Sequence, residues 1–348
     1  MARAPKPIEY EDDDDLPVRA NPDLFGHERA AATLESAARS GRLPHAWLVA
    51  GPPGIGKATL GYRFGRWLLA GMPEGSPPLH LPPEHPVFRR VLSGSHADLR
   101  ALRPEAGTGV KQLIRVEDVR AAIRFLALTP AEGDWRFVLV DGAEQLRPEA
   151  ANALLKTLEE PPPRSVLMLT TNAADRLLPT IRSRVRRLDL EPLAPSDMDA
   201  ALAKLRPDMP APDRARLARV AEGSPGRAIQ LAEGEGLAMQ ELVDGVLAAL
   251  PTGDKRRWHA VADAVAAKRD GSTFVTFMAL LRREISAAVR RAARNDGAPP
   301  PWLAIRPLAE WSTLWDSLGR LAAETDGLSL DRKGAVLTAL GWLNPPRR

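Results

Sequence analysis

The sequence predicts a parallel α/β sheet with helices on both faces, followed by a long all-helical stretch. Three observations predict it. Short apolar runs recur at 46–50, 137–140 and 166–170, each the length of a buried strand. Helical spacing fills the intervals between them, as in a chain that crosses over from strand to parallel strand. After Leu190 apolar runs of this kind stop, and helical patterns alone continue.

Each element has its own signal. Ala30, Ala31, Leu34, Ala37 and Ala38 give a helix within 27–43. Ala46-Trp47-Leu48-Val49-Ala50 reads as the first strand, and a glycine-rich turn leads from it into a helix ending near Ala70. Residues 71–110 are rich in Pro, His and Gly without steady periodicity and read as an irregular insertion. Val119, Ala122, Ile123 and Leu126 mark a helix over 116–127. Phe137-Val138-Leu139-Val140 is the second strand, closed by Asp141. A helix over 148–160 and a third strand from Val166 to Thr170 follow. Short helices broken by Pro and Gly fill 191–238, and 239–348 is helical throughout. In that last stretch Phe274, Phe277, Met278, Leu281, Ile285, Ala288 and Val289 share one helical face. Residues 1–20, with an unbroken acidic run from Glu11 to Asp15, read as a disordered tail.

Composition narrows the function classes. The chain has 348 residues, 44% hydrophobic and 26% charged, an ordinary globular balance. It contains no cysteine, which excludes disulfides, thiol chemistry and cysteine-built zinc sites. His80, His85 and His96 lie in the 71–110 insertion and are expected to be solvated, so no metal is expected. The first residues lack the apolar core of a signal peptide, and no apolar stretch is long enough to span a membrane. The cytoplasm is the expected compartment. The net charge of +4 is too small to demand nucleic acid.

Chemistry concentrates in the turn after the first strand. Gly51-Pro52-Pro53-Gly54-Ile55-Gly56-Lys57 fits G-x-x-x-x-G-K between a buried strand and a helix. Glycines let successive N–H groups wrap a phosphate, the helix N-terminus favours its charge, and Lys57 reaches the outer phosphates. Ala58 stands where a magnesium-binding hydroxyl is needed. Thr59 comes one residue later, turned by about 100° around the helix. Asp141, at the end of an apolar strand, suits the metal-orienting carboxylate of such sites. Gly142 follows where many ATPases carry the glutamate that activates water, and Glu144 is expected to point elsewhere. ATP or ADP therefore fits the loop, while magnesium is poorly held.

Further along, Ala150-Ala151-Asn152-Ala153-Leu154-Leu155-Lys156-Thr157-Leu158-Glu159-Glu160-Pro161-Pro162 resembles the helix after the acidic strand in clamp-loader AAA+ subunits. Thr170-Thr171-Asn172 resembles their sensor-1 strand end. Leu178-Pro179-Thr180-Ile181-Arg182-Ser183-Arg184 is similar to the stretch ending in their Ser-Arg-Cys signature, with Val185 in place of the cysteine. Gly223-Ser224-Pro225-Gly226-Arg227-Ala228 resembles the start of the sensor-2 helix. The degraded positions Ala58 and Gly142 are most similar to the delta-prime branch of the bacterial DNA polymerase III clamp loaders.

The resemblance implies a P-loop AAA+ domain over 21–190, a small helical lid over 191–238 and a helical collar over 239–348. It also implies roles. Arg184 would be an arginine finger acting on a neighbouring subunit. Asn172 and Arg227 would face the chain's own nucleotide, with residues 51–59 and Asp141. The implied partners are the gamma/tau motor subunits and the delta subunit, with the sliding clamp and primed DNA reached through the complex. The chain alone is expected to lack ATPase activity, although it would belong to a DNA-directed DNA polymerase, a nucleotidyltransferase. The alternatives are an active motor subunit of the same ring, a DNA-remodelling AAA+ helicase motor and a nucleotide-binding module outside replication. Ala58 and Gly142 argue against both motors.

Overall fold

The structure is a computed structural model that describes residues 16–104, 113–233, 235–252, 256–295, 297–328 and 330–344. The acidic run Glu11–Asp15 and part of the 71–110 insertion lie outside the described residues. The chain divides into two compact units, one up to Ile229 and the other from Gln230 onward.

In the first unit the order is α1 (Leu16–Ala20), α2 (Glu28–Arg39), β1 (Ala46–Ala50), α3 (Lys57–Leu69), α4 (Pro86–Leu92), β2 (Leu99–Leu102), α5 (Val116–Leu126), β3 (Arg136–Val140), α6 (Pro148–Glu159), β4 (Ser165–Thr171), α7 (Pro179–Arg182), β5 (Arg186–Asp189), α8 (Pro195–Leu205) and α9 (Ala211–Ala221). Helix α10 (Pro225–Glu233) runs across the division. The five strands form one parallel sheet in the order β2-β3-β4-β1-β5.

Alternation along each strand splits the core in two. Trp47, Val49, Phe137, Leu139, Val166 and Met168 pack under α2, α3 and α4. Ala46, Leu48, Val138, Val140, Leu167 and Leu169 pack under α5, α6 and α7 on the other face. Both faces are covered, which is why the three central strands read as unbroken apolar runs.

Two expectations are corrected. The 71–110 segment is not wholly irregular. It carries α4 and the edge strand β2, which pairs with β3 from Leu99↔Phe137 to Leu102↔Val140. Residues 16–20 are not tail but helix α1, and the chain after it is anchored from below. Arg66 of α3 donates to Arg19 O and Asn21 O (2.6 and 2.8 Å) and lies over the Phe88 ring, while Arg63 donates to Pro78 O. Burial pushes the Arg66 guanidinium down to about 10.

The second unit holds α11 (Gly236–Ala249), α12 (Trp258–Val265), α13 (Ser272–Ala293), α14 (Leu308–Gly327) and α15 (Arg332–Leu343). Helix α13 packs against α11 and α14 through Phe274, Phe277, Met278, Leu281, Ile285 and Ala288, all buried. Trp302 and Trp311 meet edge to face at 5.2 Å. Among the described residues no helix is long and apolar enough to cross a membrane.

Candidate functional site

The glycine loop leaves β1 at Ala50 and enters α3 at Lys57. Its carbonyls are engaged one after another. Lys57 Nζ donates to Gly51 O (3.0 Å) and Pro52 O (2.6 Å). Ser224 Oγ donates to Pro53 O (2.9 Å), the Gly226 N–H to Gly54 O (2.9 Å), and His27 Nε2 to Ile55 O (2.7 Å). Gly54 has φ +75, and a Cβ there would come within 2.5 Å of Ser224 Oγ. No other residue fits that close approach. With these carbonyls engaged and the Gly51 N–H bonded to Thr171 O, the N–H groups later in the loop suit an anion.

The acidic turn completes the cluster. Asp141 accepts a hydrogen bond from Thr170 Oγ1, which in turn accepts from the Gly142 N–H at 3.0 Å. Gly142, at φ +82, starts a 3₁₀ turn over Ala143–Gln145. That turn brings Glu144 back across the strand ends, which corrects the expectation that it points away. Its Oε1 accepts from the Asn172 N–H (3.2 Å) and side-chain Nδ2 (2.9 Å). Asn172 Oδ1 accepts from Lys57 Nζ at 2.7 Å. Lys57, Asn172 and Glu144 thus form one chain of polar contacts across the ends of β1, β4 and β3.

Burial pushes the Lys57 ammonium down to about 8 from an ordinary 10.5, while Asp141 and then Glu144 pull it upward. Side-chain NMR should accordingly show Lys57 titrating near pH 8, and lower still in Glu144→Gln, where one raising charge is gone. A midpoint near 10.5 in the folded chain would mean that Lys57 is solvated rather than held in this cluster.

These residues fit the phosphates of ATP or ADP better than they fit magnesium. Ala58 brings no side-chain oxygen, and Asp141 is the carboxylate that suits a metal-orienting role. Among the described residues no three His, Asp or Glu are grouped to hold a metal ion. His85 Nδ1 caps α4 by accepting from the Val87 N–H at 3.2 Å. His96 is buried, contrary to the solvated expectation, and His80 is half-buried.

Arg227 lies in the first turn of α10, beside the loop, and its N–H donates to Ser224 Oγ at 3.3 Å. Arg184 lies elsewhere. It precedes β5, at the amino ends of the strands, whereas the glycine loop leaves β1 at the carboxyl ends. The two are separated by the length of a five-residue strand, roughly 15 Å at ~3.3 Å per residue. Arg184 Nη1 donates to Thr180 O (2.9 Å) and Ser183 Oγ (3.2 Å), and Nη2 lies 2.7 Å from Glu159 Oε1. The sequence therefore names two groups of residues, and the structure brings only the first together.

Comparison with known proteins gives the family. Residues 26–194 match the family model described as DNA polymerase III, delta subunit. The DNA polymerase III subunit delta-prime of Escherichia coli is 35% identical over 236 residues, 67% of each chain. The chain belongs to the DNA polymerase III delta-prime family. The corresponding protein of Pseudomonas aeruginosa is 37% identical over 58% of this chain and 60% of its own length. The tau subunit of Bacillus subtilis is 28% identical over 49% of this chain and 28% of its own. Among solved structures, a DNA polymerase III gamma subunit-related protein of Thermotoga maritima covers 90% of this chain and 98% of its own, with TM-score 0.46 and 19% identity. The family model thus covers every strand of the parallel sheet in the first unit of this delta-prime family member.

Three residues of the delta-prime site have contacts there that the sequence alone does not assign. His27 and Ser224 reach the loop from 28 and 171 residues away in the chain. Glu144 sits three residues after Asp141, and only the left-handed Gly142 turns it back. That glycine is the one sequence cue that could have found it.

Proposed function

We propose that the chain is the stator of a clamp-loading ring. It joins gamma/tau motor subunits and a delta subunit, lends Arg184 to the ATP site of a neighbouring motor, and reaches the sliding clamp and primed DNA through the complex. One observation carries the reading: the two halves of an ATPase site lie at opposite ends of one sheet. At the carboxyl ends is a phosphate cradle without the hydroxyl at position 58 or the carboxylate at position 142. At the amino ends is a half-buried arginine that its own cradle cannot use.

An arginine so placed acts on charge developing in a second molecule. The chain's own ATP or ADP, held by residues 51–59 with Asp141, Asn172 and Arg227, is in this reading a ligand and not a substrate. Glu144 anchors Asn172 instead of activating water. The helical unit after Gln230 supplies the ring contacts of a collar, and the site of action is the cytoplasm.

The purified chain should hydrolyse ATP far more slowly than the ~1 s⁻¹ at the low end of ordinary enzymes. Turnover near that rate, abolished by Lys57→Ala and reduced by Glu144→Gln, would convert the reading to that of an active motor subunit. Co-purification from native extract is the companion measurement. Recovery of the chain without gamma/tau and delta would remove it from the ring.

A further inference from the structure

The Leu158-Glu159-Glu160-Pro161-Pro162 stretch carries much of the family resemblance, yet its acids have no task in the phosphate cradle. Helix α6 ends at Glu159, and Pro161, with no N–H to donate, suits the stop. The helix end is tied down twice. His45 Nε2, one residue before β1, donates to Leu158 O at 3.0 Å. Ser165 Oγ, at the start of β4, donates to Pro162 O at 2.6 Å. Strands β1 and β4 are paired neighbours at the centre of the sheet. The Glu159 backbone is therefore fixed relative to the rigid part of the domain, at the amino ends of the strands.

We infer that Glu159 is a positioning residue for Arg184. This rests on the proposed action of Arg184 on a neighbour. An arginine on a surface turn has many rotamers to lose before it can meet a phosphate in one orientation. Here the guanidinium is held on two sides. Thr180 O and Ser183 Oγ take Nη1, and the carboxylate of Glu159 faces Nη2. The two local acceptors belong to the turn that carries Arg184, so they move with it. Glu159 is the contact from outside that turn, and it references the finger to the sheet. The Arg184 side chain remains about one-third exposed. The pair is also exposed enough to add little to folding. Its loss should therefore appear in the geometry of the finger and not in the stability of the chain.

The test uses the complete ring, reconstituted with wild-type, Glu159→Gln, Arg184→Ala or doubly substituted chain. ATP turnover is measured with clamp and primed DNA, and melting of the isolated chain is followed alongside. Glu159→Gln should lower kcat roughly two- to five-fold, the scale of one exposed ion pair. KM for ATP and the melting temperature should not move. The double variant should be no slower than Arg184→Ala, because Glu159 acts only through Arg184. Glu160→Gln, one residue along, should behave as wild type. An unchanged or raised kcat in Glu159→Gln overturns the inference, and so does an equal loss on the Arg184→Ala background. If Arg184→Ala itself has no effect, the proposed action on a neighbour fails as well. If it slows the ring while Glu159→Gln does not, only the positioning role is lost.

Discussion

Asp98→Ala should cost about 3–5 kcal/mol of stability, the range for breaking a buried charged pair by removing one partner. Asp98 is fully buried. Its two carboxylate oxygens accept from the Ala131 and Glu132 N–H groups, both at 2.7 Å. Arg136, itself buried, holds Nη2 3.4 Å from Oδ1 and stacks over the Phe125 ring at 4.5 Å. Alanine would leave two N–H groups and a guanidinium without this acceptor inside the protein. Asp98→Asn should lose less, since one amide oxygen remains. Acid should destabilise the chain further through His96, beside Asp98. Burial lowers the pKa of His96 below its ordinary 6.5, and Glu132 only partly offsets this. A folded-state pKa below the unfolded one contributes stability above about 6.5 that is lost as pH falls through the folded value. Urea denaturation followed by tryptophan fluorescence measures both effects. A loss under ~1 kcal/mol for Asp98→Ala would show that the pair is solvated and does not anchor the edge of the sheet.

That edge is also the part of the fold least legible in the sequence. Strands β1, β3 and β4 announce themselves because each is covered on both faces and so carries an unbroken apolar run. Strands β2 (Leu-Arg-Ala-Leu) and β5 (Arg-Arg-Leu-Asp) are edges, partly exposed, and their arginines erase the run. No pattern separates β2 from the loops around it. The phosphate loop is legible for the opposite reason, since its chemistry needs particular residues at fixed spacing. The contacts that support it are not legible. Ser224, Gly226 and His27 act through backbone carbonyls, and any distant segment that folds back could supply such donors. Arg184 is legible as a residue type in a motif, but its contact with Glu159 joins two elements whose meeting depends on the whole sheet.

Arg184→Ala should leave the chain folded and the ring assembled while cutting clamp- and DNA-stimulated ATP turnover several-fold. Folding is spared because the substitution removes one exposed ion pair and two local hydrogen bonds, and exposed pairs contribute only about 0–1 kcal/mol. Assembly is spared because one exposed side chain is removed from a surface that keeps its shape. Under the proposed stator role rate is not spared, because the charge that Arg184 would meet develops on the transferring phosphate of the neighbour. Removing a lone arginine finger costs about 10³–10⁵ in rate. A ring with several motor sites loses only the turnover that depends on this one, so the whole-ring figure should be far smaller. Arg184→Lys sharpens the test. It keeps the charge but replaces a planar fork of donors with a point charge on a flexible stem, and so should recover only part of the rate. Equal rates for wild type, Arg184→Lys and Arg184→Ala in rings of normal composition would reduce Arg184 to a surface arginine. The separation of the two half-sites would then need another explanation, because the Ser183-Arg184 turn would present no group able to act on a neighbour's nucleotide.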